Sequence, residues 1–168
     1  MSYSDDRLRG VGGWLAFLVI SLMALGPVVG IASTFGDLSQ VEQANPLLAA
    51  SAGWGIVKTV LWILTLIQVA MMVFTGWRLN RDYRRSTVKF AIVMLWVMGP
   101  VWSVVTLAAI ALLMNSNPIA TASSPLTLAR PVIWALAWTL YLVMSRRVAN
   151  TYDEEGPEAD GDLANVFE

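Results

Sequence analysis

The chain has 168 residues, of which 57% are hydrophobic and only 14% charged, and its formal net charge is −1. Soluble domains carry about 25% charged residues, so this deficit, with a mean hydropathy of +0.61, points to lipid as the solvent of most side chains. The chain has no Cys and no His, which excludes disulfides, thiolate chemistry, Cys or His metal sites and imidazole proton shuttling.

In chain order, a polar start gives way to Gly10–Gly36, which contains no charge. About twenty apolar residues cross a bilayer, so a spanning helix is expected over about residues 11–35. The run is longer than the apolar region of a signal peptide, about 7–15 residues, and is read as retained. Residues 36–53 hold Asp37, Glu42 and Asn45-Pro46 and read as a loop. A second helix is expected over about 54–79, with Lys58 one turn from its start. It runs into Arg78–Lys89, which carries five of the eleven Lys and Arg residues. A third helix, about 87–114, ends at the breaker-rich Asn115-Ser116-Asn117-Pro118. The fourth, about 131–149, would begin at Pro131, since proline suits the first helical position. Arg130 and Arg146 at its ends would extend their heads to the interfaces. Residues 153–168 hold seven of the twelve acids and read as a disordered cytoplasmic tail.

The expected fold class is therefore all-α, an integral membrane four-helix bundle of two consecutive hairpins. Nine cations fall on one side (Arg7, Arg9, Arg78, Arg81, Arg84, Arg85, Lys89, Arg146, Arg147) and two, Lys58 and Arg130, on the other. Short Lys- and Arg-rich loops stay in the cytoplasm, which puts both termini there. The hairpins also echo each other: Gly26-Pro27-Val28 recurs as Gly99-Pro100-Val101, Asn45-Pro46 as Asn117-Pro118, and Lys58 with Trp62 as Arg130 with Trp134. Such an echo would be a parallel repeat about the membrane normal. An interior proline removes a helical hydrogen bond, so paired kinks are expected.

Two sets of residues are candidates for binding. Lys58 with Trp62, and Arg130 with Trp134, lie at helical spacing near the opposite face from Arg78–Lys89. They read either as interfacial anchors with cation–aromatic contacts or as an outward site for lipid phosphate or a partner carboxylate, which Asp37 or Glu42 would otherwise satisfy. Gln68 and Thr65, with Ser103 and Thr106, read as interhelical hydrogen-bonding groups or as the lining of a polar pathway. The basic segment orients the chain and attracts anionic headgroups; with one aromatic residue, Tyr83, it makes no nucleic-acid groove.

Gly12-Gly13-Trp14-Leu15 near the start and Ser145-Arg146-Arg147-Val148-Ala149-Asn150-Thr151-Tyr152 near the end carry a family resemblance. Together they resemble a bacterial family of small four-helix membrane proteins of unknown function, with GGWL at the start and S-[KR]-R-V-x-N-T-[FY] at the end. The resemblance implies four helices and an inner-membrane location over about Gly10–Tyr152, and no activity. No nucleophile–base pair is recognisable and no cofactor is implied. The expected function is that of a non-enzymatic accessory or scaffold protein, its partners membrane lipids, another membrane protein or a second copy. The alternative is a small transporter or channel with a polar pathway between the hairpins.

Overall fold

The computed structural model describes residues 13–114 and 125–152. They are helical throughout apart from short connections, with no strand among them. Three helices are long and apolar enough to cross a membrane: α1 (Trp14–Ala44), α2 (Ala52–Arg81) and α3 (Arg85–Met114). At about 1.5 Å per residue each is roughly 45 Å long, against a hydrocarbon core of about 30 Å. A shorter apolar helix, α4 (Pro125–Met144), and a terminal one, α5 (Arg146–Thr151), complete the described chain. The acidic tail expected over 153–168 and the Asn117-Pro118 element lie outside the described residues.

The helix ends differ from expectation in two places. α1 runs on through the segment expected to be a loop, because no proline stands between Pro27 and Pro46 and Gly36 is tolerated within a helix. It stops at Asn45 (φ −136°, ψ 77°), the residue before Pro46, where the proline ring disfavours helical geometry. Asp37 and Glu42 are therefore helix residues, where a loop was expected. A single helical turn, Pro46–Ala49, leads to Ser51, whose hydroxyl caps α2 by accepting from the Trp54 N–H. The fourth helix starts earlier than expected, at Pro125, with Pro131 in its interior. It also ends earlier. Ser145 turns extended (φ −77°, ψ 118°) and its hydroxyl accepts from the Val148 N–H, so α5 begins afresh.

Both Gly-Pro pairs distort their helices. A wide, π-helical turn covers Ser21–Leu25, just before Gly26-Pro27, and another covers Val97–Val101, around Gly99-Pro100. Proline lacks the N–H that would reach four residues back, and its ring crowds that carbonyl; a π turn relieves both at the cost of one regular bond.

α1 packs on α2, α2 on α3 and α3 on α4. The main core lies at the end of the bundle that carries Arg78–Lys89. There Leu15 and Leu18 of α1, Leu79 of α2, Leu95 of α3, Leu142 of α4 and Tyr152 after α5 bury together. α4 leans mainly on the first half of α3, and its packing beyond Val101 is slight. The other end of the bundle is held by a smaller cluster of Leu38, Trp54 and Val57, confined to α1 and α2. Apolar side chains such as Val28, Phe35, Ile56, Leu66, Val93 and Leu140 face outward, as expected of a surface solvated by lipid.

The basic turn is ordered by one acid. Asp82 ends α2, accepts from the Thr87 hydroxyl at 2.9 Å, and lies 3.8 Å from Arg78 and 3.7 Å from Arg84. Arg78 also covers the Phe90 ring at 4.5 Å, and Arg81 the Trp77 ring at 5.3 Å. These contacts hold the cations at the helix ends, where they also suit the α2 dipole.

Candidate functional site

Because α4 leans on one end of the bundle, a cleft remains at the other. It has a volume of about 420 Å³ and lies between the second half of α1, the first half of α2 and the second half of α3. Its α3 wall is a single helical face, Trp102, Thr106, Ile110 and Met114, at intervals of one turn. Leu38 and Val41 of α1 and Leu61 and Leu64 of α2 make most of the opposite wall. Polar groups are few: Thr34, Asp37, Thr65, Gln68 and Thr106.

The floor is set by Gln68. In the π turn of α3 the Trp102 N–H points to Val97 and Gly99, bypassing the Met98 carbonyl. Gln68 Nε2 donates to that carbonyl at 2.9 Å, so the amide of α2 satisfies the group the Gly-Pro distortion leaves over. One turn nearer the other end, the Thr34 and Thr65 hydroxyls meet at 2.9 Å. Each also reaches a carbonyl of its own helix, Gly30 at 3.0 Å and Leu61 at 2.9 Å. With one proton apiece the pair satisfies two of these three contacts at a time, and α1 is tied to α2 in the two arrangements where one hydroxyl donates to the other.

Beyond the cleft lining, Glu42 joins α1 to α2 next to Val41 and Trp54, which do line it. Its Oε1 accepts from Lys58 Nζ at 2.8 Å and from the Trp54 indole N–H at 2.8 Å. A carboxylate bound by an ammonium and an indole is a charge-assisted pair, and it pins the last turn of α1 to the first turns of α2. Lys58 is thus engaged by Glu42, one of the two acids named for it from sequence.

The expected residues do not gather in one place. Lys58 and Trp62 lie on α2, with Trp62 packed against the small cluster of Leu38, Trp54 and Val57. Arg130 and Trp134 lie on α4, which packs mainly on α3. Arg130 precedes Pro131, whose carbonyl oxygen would stand 3.4 Å from a Cβ built on Gly99, at the middle of α3. It is exposed there, at a different level from Lys58. Trp134 is 54% exposed and packs edge-on against Trp138, 5.7 Å between centroids. The echo between the hairpins thus holds for the two Gly-Pro turns and fails for the two cations. Thr65 and Gln68, in contrast, do share one cavity.

Two contributors to the cleft escaped the sequence reading. Asp37 falls in the segment expected to be a loop, and only the absence of a proline between Pro27 and Pro46 signals otherwise. Thr106, named with Gln68 from sequence, does line the cleft, but Trp102, Ile110 and Met114, one turn apart on the same face, carry no feature that distinguishes them from lipid-facing residues. Among the described residues no group of three or more acids forms a metal site.

The terminal motifs carry packing. Gly13 has φ 59° and ψ −133°, a conformation open essentially to glycine, and it starts α1 so that Leu15 is fully buried while Trp14 faces out. At the other end Val148 and Tyr152 are buried, and the Tyr152 hydroxyl donates to the Leu79 carbonyl. No curated protein and no solved structure matches the chain. The model of one family, described as protein of unknown function (DUF2569), matches residues 8–152. That range runs from just before the glycine turn to the buried tyrosine, and the chain belongs to the DUF2569 family.

Proposed function

We propose that the chain is a non-catalytic accessory protein of the bacterial inner membrane, with four spanning helices and both termini cytoplasmic, and that its cleft holds an apolar or amphipathic molecule drawn from the membrane. The cleft carries this reading. It is largely apolar, its 420 Å³ lies in the range of about 300–1,000 Å³ usual for small-molecule sites, and α4 contributes no described residue to its wall. A transporter with a through-going pathway is less well supported, since Leu15, Leu18, Leu79 and Leu95 fill the other end of the bundle.

Two experiments test this. Extraction and mass spectrometry of molecules retained by the purified protein should find a bound species that is lost in Leu64→Trp, and in Thr106→Trp should the first variant fold poorly. Identical retention in wild type and a folded variant would overturn the cleft reading. For orientation, a reporter fused after Ser86 should report cytoplasm and one after Gln40 the opposite side; the reverse pattern would overturn the placement of the termini.

A further inference from the structure

Asp37 gives the cleft a charge that its walls do not neutralise. The residue lines the cleft, and no ion pair joins it among the described residues. Its neighbour along the helix, Glu42, is the opposite case, matched by Lys58 at 2.8 Å. Between Gly13 and Trp77 Lys58 is the only basic residue, and none lies on α3 beyond Lys89. The cleft is therefore an apolar cavity with one uncompensated carboxylate. Two indole-bearing residues, Trp54 and Trp102, line it as well, and the faces of such rings attract cations.

We infer that the cleft selects lipophilic monocations: a single ammonium or phosphonium centre carried on an apolar body. The cationic centre sits at Asp37 and the body lies among Leu38, Leu61, Leu64 and Trp102. Asp37 is exposed at the edge of the cleft, so its attraction for a cation is that of a solvated carboxylate, and the apolar wall beside it adds the burial of the ligand's body. A zwitterionic phospholipid head fits less well, because its phosphate would need a second cation and Lys58 is held by Glu42. This inference rests on the cleft being a binding site, and adds the sign of the charge it recognises.

The test uses the purified full-length protein in non-ionic detergent and equilibrium dialysis against tetraphenylphosphonium and its anionic isostere, tetraphenylborate. The phosphonium should bind saturably and the borate should not. Asp37→Asn should weaken phosphonium binding roughly threefold to fivefold, the scale of losing one solvent-exposed charge pair, while Asp37→Glu retains it. Leu64→Trp should abolish it. Equal binding of the two isosteres, or unchanged binding in folded Asp37→Asn, would overturn the charge selection and leave the cleft reading in place. Phosphonium binding that survives Leu64→Trp would place the cation elsewhere and overturn the assignment. No saturable binding by a wild-type protein that still retains a membrane molecule would overturn it too.

Discussion

Tyr152→Ala should be among the most damaging single substitutions in the chain, costing about 3–5 kcal/mol, the usual loss on truncating a buried large aromatic side chain. Tyr152 is 1% exposed and belongs to the same buried cluster as Leu15, Leu79 and Leu142, so its ring joins α5 to the cores of α1, α2 and α4. Its hydroxyl adds a second contribution. α2 ends at Arg81, so the Leu79 carbonyl is one of the last-turn acceptors that a helix leaves without an internal donor; the Tyr152 hydroxyl supplies one. Tyr152→Phe isolates that term, and about 1–3 kcal/mol is expected for stranding a buried acceptor. Unfolding by titration with denaturing detergent measures both. A Tyr152→Ala variant within 1 kcal/mol of wild type would mean that α5 is not docked. The phenol also makes the lock sensitive to alkali. Burial first, then the neighbouring Tyr83, Asp82 and Tyr141, push its pKa above the ordinary value. The folded form thus keeps a proton the unfolded form gives up from about pH 10. The contribution is complete below that pH and declines as pH rises further.

The role of α5 gives the carboxy-terminal motif a physical meaning. Ser145 caps the helix, Val148 and Tyr152 bury, and the segment folds back onto the ends of the first three helices. Sequence alone predicts a fourth helix running straight through this motif to Ala149, whereas α4 ends at Met144 and α5 starts at Arg146. Nothing in composition marks Ser145 as a break, because serine is tolerated within helices. Only the demand that Val148 and Tyr152 reach Leu79 requires the turn. The basic segment was more legible. Charge spacing alone located the α2–α3 turn, and Asp82 within it is the acceptor that organises Arg78, Arg84 and Thr87.

Legibility was poorest for the cleft. The three long helices follow from uncharged run length, since lipid imposes that pattern on any spanning helix. The same uniformity hides which face is inward: when every face is apolar, periodicity carries no information about packing. Gln68 and Thr65 stood out because they are polar in such a background, and both line the cavity. Arg130 stood out equally and lies elsewhere, because its depth depends on where α4 begins, and Pro131 does not begin it.

Gly76→Ala should destabilise the protein by about 1–3 kcal/mol, and Gly76→Leu by more, the usual result of overpacking a close contact. A Cβ at this position would lie 2.6 Å from Met23 Cγ, 3.1 Å from Leu22 Cβ and 3.4 Å from the Met23 backbone nitrogen. Those atoms belong to the π turn Ser21–Leu25. The wide turn carries the α1 backbone towards α2, and α2 meets it with a residue that has no side chain. The turn in turn lies just ahead of Pro27, which cannot donate the hydrogen bond a regular helix would need. Pro27, the π turn and Gly76 therefore form one unit, and their substitutions should not add. Pro27→Ala alone lets the turn tighten to regular α-helix and opens space against Gly76. Combined with Gly76→Ala it should recover part of the cost of the glycine substitution, so that the double variant is more stable than the sum of the two single ones predicts. Unfolding titrations on the four proteins measure the coupling. Strict additivity would show that Gly76 serves close helix approach in general, independently of the turn that Pro27 imposes.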